Sequence, residues 1–512
     1  MSENYVLLPR AENQARGLAQ YAIDFLAGRL GQPSPKVLER VERFHLDSIA
    51  CGVSALACGA NAPAVLRREA LEYVCADSNH GVPLFGSIER VVPEKAVLAN
   101  CSAVREWDAN GTNFGYNPAR GDTCGEFGHN DFYPVAVAAA QLQGLAGRSA
   151  LTGMLAIDEI RGRLAEVFSL KDHKIDHVVH GAIASAVVYG AMLGASVDQI
   201  ESAVGQVVAH YIPFRAIRAG KQLSDSKGAS AAISAEVAVL SMRRAMRGFV
   251  GPADIFRNPE AIFCLFEKPA AKDSSPFDLQ LAAGGDDFAV MGMHFKLGLY
   301  EHQSAGAIQG LMDLLAKHPQ LAADEDSLKR VRIAIYQPAF GIIGDPAKRN
   351  PQTRQSADHS MVYIIATLLR KAIESRKTTW RELMLEPGDY DQASLFHPLT
   401  RRLMEKIELR HGGPEYDAKY PDGIPTSLEI EHATLGRLSS GLVMYPTGHA
   451  RNTTADLDEL LAHKFRLLAS LGVADVDGLY QRFTNVAAKS AEEVADLYDF
   501  EILSRFTEDM LG

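Results

Sequence analysis

The sequence predicts a mainly α protein, with a large helical region followed by a smaller mixed α+β region. Three observations carry that expectation. From about Ala15 to Gly251, apolar residues recur at three- and four-residue spacing in segment after segment. After Pro276 the character changes: RVRIAIYQPAF reads as a strand, and TSLEIEHATLGRLSSGLVMYP as an antiparallel hairpin with Leu428 and Ile430 alternating with Glu429 and Glu431. The tail, from DLDELLAHKFRLLASLG onward, returns to helix. At 512 residues the chain exceeds one simple core, so two domains or more are expected. The expected divisions are residues 1–285 (helical), 286–452 (α+β) and 453–512, C-terminal helices packing back onto the first region.

Taken in order, ARGLAQYAIDFLAGRL, PKVLERVERFHLDSIACGVSAL and APAVLRREALEYVCA are amphipathic helices. Pro93 opens a helix that runs into Asp108, and Pro134 sits in the first turn of the next. ALTGMLAIDEIRGRLAEVFSL and HGAIASAVVYGAMLG follow, rich in alanine and glycine as closely approaching helices require. Ser196 with Gln199 forms a capping-box signature for SVDQIESAVGQVVAH, and GASAAISAEVAVLSMRRAMRG is a further buried helix. FDLQLAAGGDDFAVMGMHFKLG is irregular and glycine-bearing, a crossing point between domains. Beyond it, SAGAIQGLMDLLAKHP and SADHSMVYIIATLLRKAIE read as helices, and Ser490 with Glu493 caps one more in the tail.

Composition narrows the function. Acidic residues outnumber basic ones, 63 to 52, for a formal charge of −11. That argues against general nucleic-acid binding, which needs a cationic surface. It also means that an anionic substrate requires a local cationic pocket. The first residues lack the apolar core of a secretory signal, and no run approaches the ~18 apolar residues of a membrane span. A cytoplasmic protein without a membrane association is the expectation. Six cysteines are scattered with no C-x-x-C pair, which suits reduced, buried thiols and not an iron–sulfur cluster. There is no P-loop and no G-x-G-x-x-G, so no cofactor is expected.

The stretch Val104–Ala139 is hardest to explain as packing. It carries Asp108, Thr112 and His129 at a helix end, in a loop with five glycines and near a helix start. Capping accounts for Asn130 and Asp131, but not for Trp107-Asp108 followed by a glycine-rich loop ending in a histidine. Other segments join it. LKDHKIDHVVHG holds His173, His177 and His180, and the last two lie one turn apart. They are either metal ligands lacking a nearby third or ordinary loop and capping histidines. Arg215, Arg218, Lys221 and Lys227 are four cations opposed only by Asp225. This run is either a solvated face or an anion site at a helix N-terminus. Lys296 and His302 lie in HFKLGLYEHQSAG, Tyr336 in IAIYQPAF, His359 in SADHSMVY, and His449 and Arg451 in YPTGHARN. Each of these alone admits a structural role.

Together, and in this order, the segments resemble the MmgE/PrpD family of metal-independent lyases and isomerases of small polycarboxylic acids. VPLFGSIERVVPEKAVLANCSAVREWDANGT resembles the family's glycine-serine turn, alanine-rich helix and D-x-x-x-T. EFGHNDFYPVAVAAA resembles W-G-H-P-S-D-N, IDHVVHGAIASAVVYGAMLG the L-D-H-V helix, and RAIRAGKQLSDSKGASAA the R-T-Y-R and lysine loop. HFKLGLYEHQSAGA is similar to F-K-x-x-F-P-A-E-F-H-x-Q-T-A, and ADHSMVYIIATLL to R-D-H-x-x-Q-Y-M-x-A-x-P-L. YPTGHARN is similar to E-Y-P-I-G-H-x-R-R after a hairpin. The resemblance covers about residues 15 to 470.

The resemblance implies a large all-α domain, an α+β lid, a cleft between them and a homodimer. It places functional positions on Asp108, Thr112, His129, His177, Lys227, His302 and Tyr336. Three departures touch the cleft: Asn130-Asp131-Phe132, the longer loop between Thr112 and His129, and Leu299-Tyr300-Glu301. The implied activity is dehydration, or reversible hydration, of a 2-methylcitrate-like tricarboxylic acid. Arg215, Arg218, Lys227 and Lys296 would bind carboxylates with Thr112. His129 and His177 would serve as base and acid with ordinary pKa values near ~6.5, and Asp108 would orient a histidine or take the proton itself. His302 and Tyr336 would complete the site from the lid. Lys227→Ala is expected to weaken substrate binding without affecting stability. Within the family, a cis-aconitate-type decarboxylase and a dicarboxylate epimerase are the alternatives. Outside it stand an iron–sulfur hydratase, against the cysteine spacing, and a helical binding protein without catalysis.

Overall fold

The computed structural model describes residues 4–77, 80–113, 115–117, 122–123, 127–128, 130–218, 222–344 and 346–505. Helices form where apolar periodicity and end signals agree. They are α1 (Gln14–Leu26), α2 (Pro35–Ala57), α3 (Asn61–Leu71), α4 (Pro93–Arg105), α5 (Tyr133–Gln143) and α6 (Gly147–Val167). α7 (Val178–Met192), α8 (Val197–His210) and α9 (Asp225–Met246) follow. Proline stands in the first turn of α2, α4 and α5, where its missing N–H costs nothing. Ser196 and Gln199 complete a capping box at α8. α5 ends at Gly144 in the left-handed conformation. α3 stops at Leu71, earlier than its periodicity suggests, because Val74 is drawn into a bridge with Val91.

α7 is apolar around its circumference and lies at the centre of the helices, packed by α1, α5, α6, α8 and α9. Gly181 permits the close approach: a Cβ there would lie 2.4 Å from the ring of Phe132, which precedes α5. α4 packs along α9 and α2, which brings the end of α4 and the start of α9 together.

The second region is built on a four-stranded sheet. Its order is Ile407–His411, Leu328–Ile335, Thr426–His432, Gly436–Val443. The hairpin Thr426–Val443 is antiparallel, with Leu428 and Ile430 buried and the glutamates between them half-exposed. Ile407–His411 pairs parallel to Leu328–Ile335. The N-terminal Tyr5–Leu8 pairs antiparallel with Leu279–Ala282, inside the stretch that reads as irregular. The helix Ala305–Lys317 covers the hairpin. Among the described residues no single helix is long and apolar enough to cross a membrane.

The C-terminal helix Leu457–Ala469 packs on α2 and delivers one buried cation. Lys464 donates to Asp47 Oδ1 (2.5 Å), the Ala109 carbonyl (2.5 Å) and the Lys296 carbonyl (2.8 Å). It therefore joins α2, the loop after α4 and the segment leading into the second region. Burial pushes the Asp47 carboxyl up, and Lys464 opposes the shift. Lys464→Met should lower stability by about 3–5 kcal/mol, because it leaves Asp47 and two carbonyls buried without their donor. Denaturant unfolding checks this, and a loss under ~1 kcal/mol would contradict it.

Candidate active site

The site starts from Asp108. α4 ends at Arg105, and the chain turns over with Asp108 at φ +52°, a left-handed conformation that aspartate tolerates. The turn aims the carboxylate into the interior, where it is 4% exposed. Oδ1 accepts from Arg105 and from Lys296 Nζ (2.6 Å), which also donates to the Asp108 carbonyl (2.7 Å). Oδ2 faces Lys227 Nζ at 3.3 Å and His359 Nε2 at 3.1 Å. Burial acts to raise this carboxyl. Arg105, Lys227, Lys296 and the hydrogen bond from His359 overcome it and hold Asp108 well below the usual carboxylate range. Asp108 is thus an ionised anchor for cations, the arrangement expected of the first of its two proposed parts, orienting a histidine. The histidine it orients is His359.

The ion pairs continue outward. Asp358 Oδ1 lies 3.4 Å from Lys227 Nζ and 2.5 Å from His359 Nδ1, and Oδ2 lies 3.2 Å from Arg354. Arg354 pairs in turn with buried Glu106 and stacks over Trp107 at 4.9 Å. His359 reaches this position because SADHSMVY is not one helix. Arg354–Ala357 ends at Asp358, and a new helix, Met361–Ser375, starts with Ser360 accepting from the Tyr363 N–H. Asp, His and Ser in succession are poor mid-helix residues, the signal that marks the break.

A cavity of about 110 Å³ opens beside this network. Asp108, Thr112 and Lys296 line it, with Arg215, Arg218 and Lys227 from the segment leading into α9. His177, at the start of α7, and His302, after the crossing segment, complete the residues expected there. Arg105, Lys348, Glu301 and His359 also line it, without having been assigned from the sequence. Arg105 was hidden because a cation in a last helical turn reads as complementing the helix dipole.

His177 is set by its neighbours. Arg218 Nε donates to Asp176 Oδ2 at 2.5 Å, its Nη2 to Ser230 at 3.0 Å, and the same Nη2 lies 3.4 Å from His177 Nε2. Burial would raise Asp176, but Arg218 and His177 hold it below the usual range. Burial, and then the nearby arginines, push His177 well below its ordinary value; burial, Lys296 and His449 do the same to His302. Both imidazoles are therefore neutral at pH 7, a correction to the value near ~6.5 expected for His177.

Tyr336 is not among the lining residues. It is fully buried where its strand meets the helix Gln337–Ile343, and its ring stacks on Tyr420 at 4.4 Å. That helix reaches the cavity through Ile342 and Ile343 instead. His129 and Lys221 lie outside the described residues. His173 packs on Phe266 and meets Glu267 at 3.1 Å, and His180 is buried in α7; neither lines the cavity. Among the described residues no group of three or more His, Cys, Asp or Glu is placed to hold a metal ion.

The comparisons with known proteins agree with this architecture. The MmgE/PrpD N-terminal domain matches residues 16–273, and the MmgE/PrpD C-terminal domain matches residues 300–478. The chain belongs to the MmgE/PrpD family. It is 24% identical over 339 residues to the 2-methylcitrate dehydratase of Salmonella typhimurium, covering 65% of each chain. The Escherichia coli K12 protein of that name is 24% identical over 329 residues, covering 63% of this chain and 64% of the relative. The mitochondrial one of Yarrowia lipolytica is 26% identical over 325 residues, covering 62% and 58%. The matches thus span less than two thirds of these relatives' lengths.

Lys227 is 1% exposed between two carboxylates, so the expectation of unchanged stability in Lys227→Ala is corrected. That substitution should cost about 3–5 kcal/mol, measured by denaturant unfolding, because Asp108 and Asp358 then face each other with less compensation. A loss under ~1 kcal/mol would contradict the anchoring role.

The depressed Asp108 carboxyl also fixes a pH dependence. Its contribution to stability is present above the unfolded value of ~3.9 and is lost as pH falls through the lower folded value. The stability gap between wild type and Asp108→Asn should therefore be full near neutral pH and narrow below about pH 4. A gap that widens on acidification would contradict this.

Proposed function

We propose that the protein is a hydro-lyase that dehydrates, and reversibly hydrates, a 2-methylcitrate-like tricarboxylic acid in this cavity. One observation carries the reading. In a chain of net charge −11, the described lining holds Arg105, Arg215, Arg218, Lys227, Lys296 and Lys348 against only Asp108 and Glu301. A pocket of that sign suits a substrate with several carboxylates. The names of the similar proteins support the choice of substrate class.

The chemistry removes a proton α to a carboxylate while a hydroxyl departs. The α-proton is weakly acidic because the carboxylate beside it is already negative. Cations that stabilise the developing dianion lower the barrier. Lys227 and Lys296, held by Asp108, supply charge at fixed positions, and Arg215, Arg218 and Lys348 line the same cavity. Neutral His177 and His302 are proton acceptors, since an uncharged imidazole carries a lone pair on one ring nitrogen. Thr112 offers a hydroxyl to a carboxylate. His129 keeps its proposed part as the second acid/base group. The base takes the α-proton, the C–O bond breaks, and the hydroxyl leaves as water with a proton from the acid.

A screen of citrate-family acids, followed by NMR, should show a new olefinic signal and loss of the hydroxyl-bearing carbon. Release of CO₂ would mark a decarboxylase, and inversion without an olefin an epimerase. No change in any acid of the series would overturn the reading. On the substrate so found, His177→Asn should lower kcat by ~10²–10⁴-fold and move KM less, because carboxylate binding rests on the cations. His173→Asn, away from the cavity, should leave both near wild type. Near-normal turnover in His177→Asn would remove it from the mechanism.

A further inference from the structure

The segment YPTGHARN, with His449, lies outside the cavity lining, yet its loop stands directly behind His302. His294, His302 and His449 are 5%, 5% and 4% exposed. Their rings form a stack. His302 and His294 lie 5.2 Å apart with planes 2° from parallel, and His294 and His449 lie 4.0 Å apart at 23°. His294 is thus sandwiched, with the cavity histidine on one face and His449 on the other.

Hydrogen bonds fix His294 and His449 in this sandwich. His294 exchanges two hydrogen bonds with Thr112, N–H to carbonyl, at 3.0 and 2.7 Å. Its Nδ1 accepts from the Ala450 N–H at 2.9 Å, so in the neutral ring the proton sits on Nε2. His449 Nδ1 accepts from the Arg451 N–H at 3.1 Å, which sets the same tautomer there. The Phe295 N–H donates to the Gly448 carbonyl at 2.8 Å. Only glycine fits at 448: its φ is +93°, and a Cβ would lie 2.4 Å from the Phe295 oxygen. Thr447 is tied to Gln309, on the helix that follows His302, by two bonds to Oε1 at 2.9 and 2.7 Å.

Face-to-face rings place their N–H groups in parallel planes, so the stack offers no N–H···N path and is not a proton relay. What it controls is orientation. A histidine whose ring turns freely presents either nitrogen, or neither, to a substrate. One stacked on a fixed parallel ring is held to one plane. We propose that His294 and His449 are positioning residues for His302, fixing the plane of its ring at the cavity wall. The inference rests on the reading of the cavity as the active site. The charged and titratable groups facing the stack are Lys296 and Asp108 at His302, and Arg451, Asp422 and Tyr445 at His449. Burial and Lys296 push His302 well below its ordinary value, and His449 is pushed down to about 4 by burial and Arg451.

The test uses full-length protein with ¹³C-labelled histidine, the His302 signal being assigned by His302→Asn. In the wild type that signal should be single and unchanged from pH 8 to 6. His449→Ala should shift or broaden it and lower kcat about tenfold or more, with KM within about twofold. His449→Phe, which restores a ring on the far face of His294, should recover most of the kcat and the wild-type His302 signal. If His449→Ala does not fold, His294→Gln, whose side-chain carbonyl still accepts from Ala450, should fold and show the same displaced His302 signal. An undisturbed His302 signal and wild-type kcat in His449→Ala would overturn the proposal. So would equal losses in the Ala and Phe variants. Should no tricarboxylate be turned over, the NMR comparison of the free proteins still decides for or against the stack.

Discussion

The structure depends on a carboxylate that has been taken out of water. Asp108 is buried at the end of α4, and an isolated buried carboxylate is too costly to persist in its ionised form. It persists here because partners arrive from three other places in the chain: the cations Lys227, from the start of α9, and Lys296, from the crossing segment, and the ring of His359, from the break between two helices of the second region. Arg105, one turn back on α4, is the fourth partner. The pairing therefore forms only when the helical region and the second region are in register. The cavity is what remains at their junction.

On the proposed function, this arrangement separates two tasks that a polycarboxylate site must perform together. Charge is supplied by groups whose positions are fixed by Asp108 and Asp358, so little reorganisation is needed when an anion enters. On the same proposal, proton transfer falls to His177 and His302, which burial pushes well below the ordinary imidazole value. Lys464 adds a second tie from the C-terminal helix, bonding carbonyls on both Ala109 and Lys296, the flanks of the same junction. The triple histidine stack adds a third, through the backbone pair of Thr112 with His294.

Much of the fold was legible because it rests on local signals. Apolar periodicity marked α1 to α9, prolines marked helix starts, and Ser196 and Ser490 announced their capping boxes. The hairpin at Thr426–Val443 was legible from alternation. Pairings between distant segments were not. Ile407–His411 is five residues long and finds its place only beside Leu328–Ile335, and Tyr5–Leu8 only beside Leu279–Ala282. In the site, residue types with strong chemical meaning were legible, and Asp108, His177, Lys227 and His302 do converge. The roles were not, since Asp108 became an anchor only through partners far along the chain. Tyr336 looked functional by its segment, but it turned into the core at a strand–helix junction. His359 was a candidate from its segment but drew no role, because the periodicity suggested one continuous helix where the chain breaks.

On the proposed function, this junction is a built receptor for several carboxylates at once. Calorimetric titration with tricarballylate, a tricarboxylate with no hydroxyl to lose, tests it without requiring turnover. Affinity should fall stepwise from tricarballylate to glutarate to butyrate, weaken as salt is added, and drop at least tenfold in Arg215→Ala. Equal affinity across the three acids, or no binding of tricarballylate to a folded protein, would contradict it.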